Sequence, residues 1–341
     1  MNRYQATVAI RYIHRRRALA IWDRVREYND VPLEIALLAL DLFVISSATP
    51  DVEYVVQILD DLAAEFLAAT PEFTKLEKTE EKSVKLITWM WSKGFKGCPA
   101  EHYRALKNVF IGLTLRTVRS AIPLTLVAIF CALARRVGLT AYPCGYPAHV
   151  LAIVESPEDE EYQYYDLFTG PGSHPRMEKA RLVENFMPGE NIAVFLAPAT
   201  VSSMVIRAAQ NIIATLQLRP AERPGDNISG YPEVDEHSTL YAALTAMVIL
   251  RPKSGPIPPS IVEHMIQQIP SDFRMDVRFL EEELLPRVAN KNFRDMTENV
   301  CGALRAEDTT PRNVARRNSP ENQGVMVTMH LDRPEGKVLT L

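Results

Sequence analysis

The chain has 341 residues, 47% apolar and 23% charged, a composition that excludes collagen-like and wholly disordered proteins. The longest apolar run, residues 121–134, is too short to span a bilayer, so we predict no membrane association. The four cysteines are widely separated and lack CxxC spacing, which favours neither a disulfide framework nor a zinc site. We therefore expect an intracellular protein, cytoplasmic or nuclear, without a metal or cofactor.

The net charge of −4 is distributed unevenly along the chain. The first 27 residues carry seven arginines against Asp23 and Glu27, a net charge of +5, which leaves −9 on the remainder. Apolar residues at helical spacing predict a basic amphipathic surface helix over 1–30, with a mitochondrial presequence as the alternative. Nucleic-acid binding through Arg11 to Arg26 and Arg312 to Arg317 is the weakest hypothesis, because the rest of the chain is acidic.

Helical spacing predicts packing helices over 33–45 and 52–66, and Asp51 fits the N-cap of the second. A buried helix follows at 123–137. Strand composition then appears at 146–154 and 162–166, on either side of an acidic turn. These two segments predict an antiparallel hairpin.

The remaining chain is again predicted to be helical. Helical spacing returns over 201–217, and 219–237 is a linker rich in proline and glycine. A helical subdomain follows over 238–301, with helices at 238–250, 260–269, 272–286 and 291–301. We expect a disordered tail over 302–341, in which only 325–331 has strand composition. The fold class is therefore α+β: a helix-rich N-terminal part, a core with a small antiparallel sheet, and an α-helical C-terminal region.

Thr125, His149 and Asp166 are the candidate catalytic residues. Pro123 fits the first position of its helix, which places Thr125 in the first turn, where the helix dipole favours a developing anion. His149 and Asp166 are nearly equidistant from the acidic turn, so an antiparallel hairpin brings them almost opposite each other. A base oriented by a carboxylate is one interpretation; a capping threonine and a structural hydrogen bond are the other.

A series of short motifs resembles the SirB-type transglutaminase-like family. They are Gly94–Phe95, Tyr103, Asn108, Ala121–Leu126, Gly138–Leu139, Pro147–Leu151 and Asp166–Phe168. A looser resemblance extends over about 33 to 300. The same module occurs in eukaryotic F-box proteins that also carry a C-terminal hemimethylated-DNA-binding, YccV-like barrel.

The resemblance implies a papain-like transglutaminase core over 31–218, in which a helix bearing the nucleophile position packs on an antiparallel sheet bearing His149 and Asp166. Position 125 is where active relatives of this fold carry cysteine, and the SirB-type family usually has serine or threonine there. Three positions depart from the family pattern, namely Ala121 for glycine, Cys98 for asparagine and Leu167 for proline. The resemblance therefore implies a degenerate site.

We consequently predict a non-catalytic interaction module that holds a protein partner or peptide in its cleft, resembling the substrate-recognition part of F-box ubiquitin-ligase proteins. Ubiquitin-ligase components are possible partners by that resemblance alone. We further expect the chain to be a truncated or alternatively spliced product, since residues 302–341 are too short for a YccV-like barrel. The alternative function is an active acyl transferase or amide hydrolase, with Thr125 or Cys144 as nucleophile, His149 as base and Asp166 as its orienter.

Overall fold

The computed structural model of the protein describes residues 3–44, 52–147, 149–184, 192–218, 234–251, 261 and 277–308. Within these ranges the protein is mostly helical and contains two small sheets, which confirms the predicted α+β class. None of the helices described there is both long enough and apolar enough to cross a membrane.

Four helices open the chain: α1 (Arg3–Tyr28), α2 (Leu33–Val44), α3 (Val52–Ala69) and α4 (Thr79–Ser92). The second and third confirm the helices predicted over 33–45 and 52–66, whereas Asp51, the expected N-cap, lies outside the described residues. Eleven of the twelve residues of α2 are buried, because almost every position in it is apolar and helices surround it.

Helix α1 is buried more deeply than the predicted surface helix. Ala18, Leu19, Trp22 and Val25 lie in the core, where α1 packs on α2. Arg15 is only 3% exposed, and its guanidinium lies over three aromatic rings. Those rings belong to Phe43, Tyr241 and Phe279. One arginine of α1 is therefore buried rather than exposed to solvent, because the faces of aromatic rings attract the positive charge of Arg15.

A two-stranded parallel ribbon leads to the central helix. Strand β1 (Lys96–Gly97) pairs with β2 (Ser120–Ala121), and a short helix, α5 (Ile111–Leu113), lies between them in the chain. Helix α6 (Pro123–Arg136) begins immediately after β2, with proline in its first turn as predicted, and its residues 123–134 are all buried.

The second sheet is antiparallel, with the order β3–β4–β5–β6. Its strands are β3 (Ala141–Cys144), β4 (Leu151–Ser156), β5 (Glu161–Tyr165) and β6 (Arg176–Met177). Strands β4 and β5 form the predicted hairpin, although β4 begins at residue 151 rather than 146. Residues 146, 147, 149 and 150 lie outside the strand, and Pro147 among them has no N–H to donate.

The two faces of this sheet pack against different helices. Ala152 and Val154 belong to the main core, and α6 contacts β3 and β4. Leu151 and Ile153 point the other way, into a smaller cluster with residues of α7 (Lys179–Val183) and residues 192–196, which include α8 (Ile192–Phe195). This alternation is the side-chain period of a strand covered on both faces.

The hairpin turn contacts the beginning of α4. Glu158 accepts hydrogen bonds from the backbone nitrogen and the hydroxyl of Thr79, with O···N and O···O distances of 2.5 and 2.8 Å. Lys78, at the N-cap position of α4, provides no side-chain hydrogen bond. The helix is therefore capped by a residue from the hairpin rather than by its own preceding segment.

Helix α9 (Val201–Leu216) confirms the helix predicted over 201–217, and α10 (Glu236–Leu250) matches the one predicted over 238–250. Helix α10 begins two residues early because Asp235 caps it, accepting from the backbone nitrogens of His237 and Ser238. It packs on α9, α2 and α1 and shares their core.

The segment 277–287 is helical, and the last helix, α11 (Lys291–Asp308), extends beyond its predicted end at 301. The expectation of disorder is therefore wrong for 302–308, where alanine, leucine, arginine and glutamate favour a helix. Only residue 261 of the predicted helix at 260–269 is among the described residues. The predicted strand at 325–331 and most of the linker lie outside them.

Candidate functional site

The first turn of α6 presents Thr125 at the predicted position, but its side chain is fully buried. The Thr125 hydroxyl lies 3.2 Å from the carbonyl oxygens of both Asn108 and Val109. These carbonyls come from the segment that precedes α5, and a single hydroxyl hydrogen can serve only one of them at a time. The hydroxyl is thus held by the backbone and shielded from solvent.

His149 and Asp166 lie together, as predicted. The Nε2 atom of His149 is 2.9 Å from Oδ1 of Asp166, and the side chains are 31% and 12% exposed. The same carboxylate oxygen accepts a hydrogen bond of 2.8 Å from the backbone nitrogen of Phe168. Since Nε2 is engaged by the carboxylate, Nδ1 is the ring nitrogen that remains for a hydrogen bond to a ligand.

The strand register explains how this pair forms. Ser156 lies opposite Glu161 and Ala152 opposite Tyr165, so continuing the ladder places Leu151, not His149, across from Asp166. The predicted pair is therefore displaced by two residues along the strand. A diagonal neighbour at that offset remains within reach of a long side chain, and the loop before β4 provides the remaining adjustment.

Aromatic rings flank the pair. The Phe168 ring meets His149 edge-on at 5.8 Å between centroids and meets Tyr103 at 5.9 Å. Gly97 of β1 lies against the same ring: a Cβ there would approach two ring carbons of Phe168 at 2.7 and 2.8 Å. Glycine is therefore required where the parallel ribbon meets the loop after β5.

The cysteines are poorly suited to nucleophilic attack. Cys144 ends strand β3 and is completely buried, and its thiol donates to the Phe195 carbonyl at 3.1 Å. Burial raises the pKa of both Cys144 and Cys98 to about 11, and it raises the pKa of Cys131 still further. Thiolate is the reactive form, and burial of this kind suppresses it.

The structure therefore brings together two of the three predicted catalytic residues. Within the described residues, Thr125 donates only to backbone carbonyls and no hydrogen bond joins it to His149 or Asp166. The same ranges contain no cluster of three or more histidine, cysteine or acidic side chains suited to a metal ion. The pair can orient an imidazole and hydrogen-bond a ligand, and among the described residues neither Thr125 nor Cys144 is hydrogen-bonded to it.

Sequence reasoning missed Arg207, which lies on α9. Its Nη1 donates to the carbonyl of Tyr146 at 2.9 Å, in the loop that carries His149. The only available signal was an arginine within the apolar stretch MVIRAAQNIIATL, and helical spacing alone gives such a residue no partner.

The site thus combines the buried start of a helix with a histidine–aspartate pair beside an antiparallel sheet. A comparison with models of protein families was made for the same chain. The family model described as the Transglutaminase-like superfamily matches residues 53–210. Residues 53–210 thus form a transglutaminase-like domain. A search of curated proteins and a search of solved structures found no match.

Proposed function

We propose that the transglutaminase-like domain is non-catalytic and that the surface around His149 binds a peptide segment of a protein partner. The observation that carries this proposal is the state of the nucleophile position. Thr125 is fully buried, and its hydroxyl hydrogen-bonds to the backbone rather than to His149. A threonine hydroxyl is a weak nucleophile unless an adjacent base activates it.

The histidine–aspartate pair has a binding role in this proposal. His149 is about one third exposed, its ring is fixed by Asp166, and Phe168 presents an apolar edge beside it. An oriented imidazole can both donate and accept hydrogen bonds, which suits the amide groups of an extended peptide. Aromatic rings next to such groups are typical of protein-binding surfaces.

An active acyl transferase or amide hydrolase is the less favoured function. Thr125 would have to rotate away from two carbonyl oxygens and become accessible. Cys144 would have to leave a fully buried strand end, and its pKa of about 11 keeps it protonated near neutral pH.

Reaction of the purified, reduced protein with acyl-directed activity probes tests the proposal. We expect no labelling that depends on His149, and therefore the same signal from wild type and His149→Ala. The nucleophile variants are Thr125→Ala and Cys144→Ala, with Cys301→Ala as the matched control for a buried cysteine outside the site. Labelling that disappears both in a nucleophile variant and in His149→Ala would contradict the proposal and identify an enzyme.

The finer assignment concerns the partner. We propose that the protein acts as a SirB-type module related to the substrate-recognition part of F-box ubiquitin-ligase proteins. Some of those proteins carry a YccV-like barrel. The order of motifs from Gly94 to Phe168 supports this proposal. Affinity purification of the full chain is expected to co-purify ubiquitin-ligase subunits. Their absence, with other partners present, would contradict this assignment and leave the non-catalytic role intact.

A further inference from the structure

Arg207 is a half-buried cation beside the candidate site. It projects from α9, whose start is fixed to strand β3 because the backbone nitrogen of Ala199 donates to the Pro143 carbonyl at 2.9 Å. The guanidinium reaches the Tyr146 carbonyl, three residues before His149 in the same loop. The loop that positions the histidine is therefore held by this arginine.

Among the described residues, no acidic side chain neutralises the charge of Arg207. Across the described ranges, Arg26 pairs with Asp23, Arg136 with Asp60 and Arg287 with Asp23, whereas the half-buried Arg119, like Arg207, donates to a backbone carbonyl. Arg207 has no carboxylate contact there, and the hydrogen bond of Nη1 to Tyr146 is its only one. Partial burial removes some of the hydration of this cation, and an anion supplied from outside would compensate for that loss.

The geometry of the guanidinium limits the anion that fits. With Nη1 donating to a backbone carbonyl, Nε and Nη2 remain as a two-pronged donor edge. A carboxylate presents two oxygens in one plane and matches this edge with two parallel hydrogen bonds. A single guanidinium neutralises one carboxylate, whereas a phosphate dianion carries a second charge.

Tyr103 connects this arginine to the histidine. The Tyr103 ring packs edge-on against Phe168, which in turn packs against His149. Burial raises the pKa of Tyr103, and the positive charges of Arg104 and, to a smaller extent, Arg207 partly offset that increase. Burial also lowers the pKa of Arg207, as expected for an uncompensated cation.

We propose that Arg207, assisted by Tyr103, binds a carboxylate group of the peptide held beside His149. This inference rests on the proposed binding function and specifies the chemistry of the ligand. The carboxylate belongs either to an acidic side chain or to the chain terminus of the partner, and both sources present the same two oxygens.

Nitrogen-15 NMR of the Arg207 Nε–H resonance in the full-length protein tests the proposal. The probes are N-acetylglycine for a terminal carboxylate, N-acetylaspartic acid α-amide for a side-chain carboxylate, N-acetylglycinamide as the neutral control, and inorganic phosphate. We expect saturable shifts in the millimolar range with one or both carboxylates, and no saturable shift with the amide. The better carboxylate identifies the source of the group.

Variants separate the binding role from a structural one. Arg207→Lys keeps the positive charge but removes the paired Nε and Nη2 donors, so we expect the dissociation constant for the carboxylate to rise about tenfold. Binding to this variant is measured from the backbone resonances of the loop that carries His149. Tyr103→Phe is expected to weaken binding several-fold without unfolding. Arg294→Gln on α11 removes an exposed arginine as the matched control, with affinity unchanged.

Three outcomes would overturn the proposal: no saturable carboxylate binding by the wild type, unchanged affinity in Arg207→Lys, or phosphate binding more tightly than either carboxylate. None of these bears on acyl-probe labelling, so failure here is distinguishable from failure of the non-catalytic assignment. Conversely, His149-dependent labelling together with Arg207-dependent carboxylate binding would identify an enzyme with a carboxylate-bearing substrate.

Discussion

Asp41 is a buried acidic residue that makes the stability of this fold depend on pH. It lies in the middle of α2, is fully buried, and accepts a hydrogen bond of 2.9 Å from the backbone nitrogen of Gly112 in α5. Among the described residues its second carboxylate oxygen has no hydrogen-bond partner, and the positive charge of Arg116 acts on it. Burial outweighs these interactions and raises the pKa of Asp41 to about 7.

The raised pKa predicts a stability that decreases with pH. Between the ordinary pKa of 3.8 and about 7, folded Asp41 retains a proton that the unfolded chain has lost. The free energy of unfolding should therefore fall as pH rises through this window, by up to about 1.4 kcal/mol per pH unit. Asp41→Asn should reduce this slope, as measured by urea unfolding between pH 4 and pH 7.

Asp61→Asn is the matched control, because Asp61 is exposed on α3. We expect its slope to equal that of the wild type. An unchanged slope in Asp41→Asn would show that other groups cause the pH dependence.

At the residue scale, the sequence predicted the pairing of His149 with Asp166 but not the burial of Thr125. The pairing depends on local distances from one turn, which a hairpin preserves even when the register shifts by two residues. The state of Thr125 depends on carbonyl groups sixteen and seventeen residues away, in a segment with no regular period. Arg207 was missed for the same reason, since its contact lies 61 residues away along the chain.

At the scale of elements, the β4–β5 hairpin is defined by its polar turn. Asp159 accepts hydrogen bonds of 2.8 Å from both Ser156 and Gln163, which closes the end of the hairpin. Glu160 has a φ of +54°, a left-handed conformation that side chains with a Cβ rarely adopt. Its side chain is exposed, so the strain is not offset by packing.

We therefore expect Glu160→Gly to stabilise the protein by about 0.5–1 kcal/mol, because glycine adopts this φ without the Cβ penalty. The free energy of unfolding in urea is the measurement. Glu160→Ala removes the same charge but keeps a Cβ, and it should give little or no gain. Equal stabilisation by both variants would mean that charge repulsion in the acidic turn, rather than backbone conformation, is responsible.

Element types were easier to predict than their ends. The hairpin and the helices have clear periods, whereas strand β3 was missed because Pro143 and the following glycine resemble a turn. Its backbone pairing with β4, from Ala141 with Val154 to Cys144 with Leu151, depends on tertiary contacts. The extension of α11 to Asp308 was missed because a polar composition was interpreted as disorder, although its residues favour a helix.

At the scale of the whole molecule, the core extends beyond the transglutaminase-like domain. That domain begins at residue 53, after α2, and ends at 210, before α10. Yet α2 contacts α5, α6 and α9, and α10 packs on α9. The apolar faces of the domain are therefore covered by helices outside it.

A fragment of residues 53–210 should consequently lack a cooperative thermal transition and bind the dye ANS, because it exposes surface that α2 and α10 normally cover. A fragment of residues 1–308 should unfold cooperatively, as followed by circular dichroism. A third fragment, 31–218, tests the predicted domain boundary, and we expect it to be less stable than 1–308 because it lacks α1 and α10. Cooperative unfolding of 53–210 would contradict this account.

The cap that Glu158 places on α4 has a consequence for the order of folding. Thr79 and Glu158 are separated by 79 residues, so the first turn of α4 obtains its partner only after the chain has returned through α6 and the hairpin. Closing so long a loop costs entropy that the cap alone does not repay. The rest of α4 can form early, but its first turn is completed late, when the hairpin docks.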